Sequence, residues 1–116
     1  MPLKIAQRND ADVIILDLNG RLWILDLPLR DLMAGLLAEA KRNFVLNLGE
    51  VDYMDSSGLG QLVSIWTSVK NRGGHMIILK PNPRVQRLFE ITRLHTVFQI
   101  VQSEDEAVNT ARKASA

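Results

Sequence analysis

Two apolar runs, Phe44-Val-Leu-Asn-Leu48 and His75-Met-Ile-Ile-Leu-Lys80, constrain this chain more than any other feature, because helix-spaced segments flank both. Ahead of the first, Pro28 suits the opening turn of a helix, where its missing N–H costs nothing. Leu29, Leu32, Met33, Leu36, Leu37 and Ala40 then recur at the spacing of one helical face, and Lys41 and Arg42 close that helix at the dipole-favoured end. Between the runs, Leu59, Leu62, Val63, Trp66 and Val69 form the inner stripe of a helix from about Ser57 to Asn71, stopped by Gly73-Gly74. That stripe leaves Gln61, Ile65, Ser68 and Arg72 pointing outward. Strands joined through helices run parallel, with right-handed crossovers.

The flanks extend the pattern. Residues 3–8 alternate like an edge strand, Asn9-Asp10-Ala11 reads as a turn, and Asp12 to Leu18 is a more central strand, so the two predict an antiparallel hairpin. Asn19-Gly20 is a further turn signal before a short apolar piece at Leu22-Trp23-Ile24. Pro81-Asn82-Pro83 leads into a third helix with Val85, Leu88 and Phe89 inward, and Val97 to Val101 is a final edge strand. Ser103-Glu-Asp-Glu106 has capping-box spacing and opens a last helix carrying Ala107, Val108 and Ala111. The expected fold is α/β, in the order β-β-β-α-β-α-β-α-β-α. It has a mixed, mostly parallel sheet, an N-terminal antiparallel hairpin and about four helices. One domain spans 1–116, with the small polar stretch 110–116 fraying.

Composition narrows the function. The chain has 116 residues and no cysteine, which excludes disulfides and thiol chemistry. A net charge of +1 gives no field for nucleic acid. No apolar run approaches a membrane span, and Met1-Pro2-Leu3-Lys4 lacks a signal segment. The expectation is a cytoplasmic protein, monomeric or weakly dimeric. His75 and His95 have no carboxylate or second histidine at ligand spacing, so neither a metal nor another cofactor is expected. Asp52 and Asp55 suit a turn and a helix cap. Ser56-Ser57-Gly58-Leu59-Gly60 lacks the Gly-x-Ser-x-Gly form of a nucleophile elbow, and no phosphate loop or dinucleotide fingerprint is present. These residues do not describe an enzyme.

They do describe a strand–helix junction, Val51-Asp-Tyr-Met-Asp-Ser-Ser-Gly-Leu-Gly60. A helix start offers unpaired N–H groups and the positive end of a dipole. Asp55 or one of the serines caps it, and a serine there is either structural or a place where phosphate is added and tolerated. Ile65, read as outward, joins Trp23 and Met54 in a candidate apolar partner patch.

The junction closely resembles that of the STAS domain family, and specifically of the bacterial anti-sigma factor antagonists. It is preceded by Phe44 to Leu48 and followed by Lys70-Asn-Arg-Gly-Gly-His75. Asn19-Gly20 and Arg87-Leu-Phe-Glu-Ile-Thr-Arg-Leu94 also match, so the resemblance covers nearly the whole chain. It implies a small α/β domain that binds an anti-sigma factor, often itself a serine kinase of the histidine-kinase-like ATPase type, and so frees a sigma factor. It further implies that the kinase phosphorylates Ser56, weakening binding, and that a phosphatase reverses this. Asp55 matches the motif aspartate, Ser57 is the structural neighbour, and Gly58 and Gly60 keep the start of the helix slim for the partner. A second implied role is a docking subunit of a larger assembly, such as a lipid-transport ATPase complex or stress-signalling scaffold, without obligatory phosphorylation.

One departure stands out. After strand two the family commonly reads Gly-Glu-(Leu or Ile)-Asp, where this chain has Gly20-Arg21-Leu22-Trp23. The change is drift in a surface loop, a sign of a different partner, or an environment in which Arg21 pairs with phosphate.

Overall fold

Helix and strand alternate as the periodicity requires. The computed structural model describes residues 3–23 and 28–115, with the side chains of 113–115 left out of the description. The strands are β1 (Lys4–Asp10), β2 (Val13–Leu22), β3 (Asn43–Met54), β4 (His75–Leu79) and β5 (Gln99–Val101), and they lie in the sheet in that order. The helices are α1 (Pro28–Ala38), α2 (Ser56–Asn71), α3 (Pro83–Ile91) and α4 (Glu104–Ser115), with a 3-10 turn at Leu94–Thr96. β1 pairs antiparallel with β2, and every other pairing is parallel.

Because the strand order advances one place at a time, right-handed crossovers put α1, α2 and α3 on one face of the sheet. The packing agrees. Ile14, Leu16, Phe44, Leu46 and Ile78 join the buried residues of α1, α2 and α3. The alternate positions Val13, Ile15, Val45, Ile77 and Leu79 bury against Ala107, Val108 and Ala111 of α4. A sheet covered on both faces needs apolar residues at successive positions, which is why the central strands read as continuous runs. Thr110 to Ser115 is the C-terminal part of α4.

Four expectations are corrected. Asn19-Gly20 is not a turn but part of β2, where the register with β3 slips between Asp17 and Asn19 and again between Gly20 and Arg21. Gly20 takes φ +114°, so the strand kinks there and continues. The apolar piece at Leu22-Trp23-Ile24 is therefore no separate strand: Leu22 ends β2, Trp23 follows it, and Ile24 lies outside the described residues. β3 does not stop at Leu48 but runs to Met54. α1 ends at Ala38, with Ala40 at φ +66°, although Arg42 still reaches back to donate to the Leu37 carbonyl at 3.0 Å.

One guanidinium ties the second layer down. Arg8 on β1 meets Asp17 of β2 at 2.6 Å and Glu104 of α4 at 2.7 and 3.0 Å, while Asn47 of β3 donates to Asp17 at 2.8 Å. The hydrogen bond from Arg8 is the main reason both carboxyls are held below the usual carboxylate range. Since the folded values are lowered, the stability this network contributes is present above the unfolded carboxylate pKa and is lost as pH falls through the folded ones. The groups are partly solvated, so Arg8→Ala is expected to cost about 1 kcal/mol or less at neutral pH. Urea denaturation followed across the acid range should show a shallower loss of stability in the variant than in the wild type.

Candidate functional site

The junction is built where β3 runs off the sheet. β3 ends at Met54, Asp55 is extended at φ −110°, and Ser56 is the first residue of α2. Asp55 is the N-cap: its Oδ1 accepts from the Gly58 amide at 2.9 Å and from the Ser57 hydroxyl at 2.5 Å. Those two donors, Ser57 foremost, hold the Asp55 carboxyl below its ordinary range. The pair of serines is thereby divided. Ser57 is spent on the cap, while Ser56 is exposed and makes no side-chain hydrogen bond among the described residues.

Gly58 is held by the fold itself. A Cβ at this position would lie 2.0 Å from the Leu22 carbonyl oxygen and 2.7 Å from its carbon, so the end of β2 rests directly on the first turn of α2. The slimness attributed to partner approach is thus taken up internally at Gly58. Gly60 is different, being exposed with nothing within 4 Å of a Cβ position. Gln61 completes the seat by donating from Nε2 to the Trp23 carbonyl at 3.0 Å.

The extension of β3 places Tyr53 beside Arg21 in register, and the Arg21 guanidinium lies 5.7 Å from the centre of the Tyr53 ring. The Tyr53 hydroxyl reaches Asp55 Oδ2 at 3.4 Å. Arg21 and Tyr53 are both exposed, and Tyr53 lines a groove together with Asp52, Met54 and Arg84. Tyr53 was missed by the sequence reading. The usable signal was the alternation of Val51, Tyr53 and their neighbours past Glu50, masked by Gly49.

The apolar patch is not assembled as expected. Trp23 and Met54 are half-buried, and Met54 packs against the core. Ile65, read as outward, is only 4% exposed, and Gln61, also read as outward, only 5%. The reason is geometric: α2 packs on the sheet and on α1 at once, so its buried arc is wider than the stripe through Leu59, Leu62 and Val69. Val63 and Trp66 sit half-buried on the opposite flank, with the Trp66 ring edge-on to Phe98 at 6.4 Å. Ser68 and Arg72 do face outward. Among the described residues no group of three or more His, Asp or Glu side chains gathers at metal-binding distance.

Two substitutions test this construction. Gly58→Ala is expected to destabilise by about 2–4 kcal/mol, since backbone rather than a flexible side chain must move. Ile65→Asp is expected to cost about 3 kcal/mol or more and to impair folding itself, because it buries a charge. Chemical denaturation of each reads the loss, and a fully stable Ile65→Asp protein would contradict the burial.

Comparison with known proteins gives this geometry a family. The STAS domain matches residues 4–107. The anti-sigma F factor antagonist of Paenibacillus polymyxa is 30% identical over 113 residues, covering 93% of this chain and 94% of the relative. The anti-sigma-B factor antagonist of Bacillus subtilis (strain 168) is 31% identical over 104 residues, covering 89% and 94%. A crystal structure from Thermotoga maritima superposes with a TM-score of 0.83 at 27% identity, covering 93% of this chain and 94% of that one. The chain belongs to the STAS domain family.

Proposed function

We propose that this chain is an anti-sigma factor antagonist, a binding module acting in the cytoplasm. It docks an anti-sigma factor over the Asp55–Gly60 junction and so releases a sigma factor. The relatives that carry this name, aligned over about nine-tenths of the chain, support the general role. The observation that carries the switch is the division of the serines: Ser57 is bound to Asp55, while Ser56 stands exposed at the first position of α2.

In this reading the anti-sigma factor is a serine kinase of the histidine-kinase-like ATPase type, and a phosphatase reverses its action. Phosphate on Ser56 adds about −1.5 to −2 charges beside the ionised Asp55 carboxylate. The positive end of the α2 dipole offsets part of that repulsion, so the domain keeps its fold. A partner seated over the same spot loses both shape and charge complementarity. Arg21, exposed and held over Tyr53, supplies a cation on the adjacent strand that favours the phosphorylated state.

The test is incubation with the host's serine kinase of this type and ATP, followed by mass spectrometry and a binding assay. Wild type should gain one phosphate and lose affinity, whereas Ser56→Ala should gain none and stay bound. Phosphate persisting on Ser56→Ala would overturn the site. Binding without any phosphorylation would favour the docking-subunit role.

A further inference from the structure

α1 and α2 pack side by side on one face of the sheet, and a trough of about 170 Å³ lies between them. The buried side chains of Met33, Leu37 and Ile65 make its floor. The rim is exposed and polar, with Ser64 and Ser68 along α2, Arg30 on α1 and Arg72 at the end of α2. None of the lining residues is acidic, and neither arginine has an ion pair among the described residues.

Both helices return from parallel strands, so they run in the same direction. Arg30 lies in the first turn of α1 and Arg72 just past the end of α2, so the two arginines sit toward opposite ends of the trough. Seven residues of helix, from Arg30 to Leu37, rise about 10 Å. That is the separation of side chains at i and i+7 on one face of another helix. A space of about 170 Å³ is large enough for one side chain of roughly benzene size.

We propose that the trough docks an acidic amphipathic helix of a partner protein. One apolar side chain of that helix fills the trough between Met33, Leu37 and Ile65. Carboxylates one turn or so to either side meet Arg30 and Arg72, and the serine hydroxyls face the helix between them. The surface begins two turns along α2 from Ser56, so it is distinct from the phosphoserine switch and stands without it.

The experiment is an amide NMR titration of the full chain with a short helical peptide carrying Glu at i and i+7 and Leu at i+3 and i+4. Saturable shifts are expected along the facing sides of α1 and α2 below about 1 mM peptide. Arg30→Glu and Arg72→Glu, both at exposed positions, should keep the native spectrum and together weaken binding by roughly tenfold or more. The double variant should instead take the peptide with Lys in place of Glu. Absence of shifts at millimolar peptide, affinity indifferent to both substitutions, or shifts centred on Tyr53 to Ser57 would each overturn the proposal.

Discussion

The Leu22 carbonyl resting on the first turn of α2 is the contact on which the functional end of this domain depends. Only a glycine at 58 leaves room for it, since any Cβ would fall 2.0 Å from that oxygen. The contact sets where β2 ends relative to α2, and Gln61 holds the next residue, Trp23, by its carbonyl. With β2 seated, Arg21 falls opposite Tyr53, and Tyr53 reaches the capping aspartate. The position of Ser56 is thus a product of strand–helix packing rather than of a loop free to choose its path.

The opposite layer is secured by different physics. α4 offers small apolar residues, Ala107, Val108 and Ala111, which bury limited area against β3, β4 and their neighbours. The Arg8 guanidinium adds directional, charge-assisted bonds to that docking, linking the hairpin to the last helix across most of the chain. One face therefore relies on a large hydrophobic cluster, and the other on a smaller one with a polar clasp at its margin.

Much of this was legible in the residues. The runs at Phe44 and His75, bounded by helical spacing, specify parallel strands between helices, and Asp55-Ser56-Ser57-Gly58 by itself marks a helix start. What could not be read was how wide a buried arc α2 would present. Ile65 and Gln61 lie off the stripe that a helix on one sheet would bury, and only the lateral approach of α1 and of Trp23 encloses them. Asn19-Gly20 misled for a related reason: Gly at positive φ serves a bulge as well as a turn, and only the pairing with β3 distinguishes them. The same bulged pairing carried β3 past Gly49, which local propensity reads as a stop.

The strand order β1-β2-β3-β4-β5 also bears on how the chain acquires its fold. Each strand pairs with the one made just before it, so no later strand has to be threaded between two already joined. Loop closures stay short, and their entropic cost is met one crossover at a time. A chain emerging from the ribosome can lay down the hairpin first, then add β3, β4 and β5 at a single growing edge. The seat between Leu22 and α2 needs no residue beyond that helix, whereas the Arg8 clasp needs Glu104. The site would then be complete before synthesis ends, with the opposite face the last to be covered.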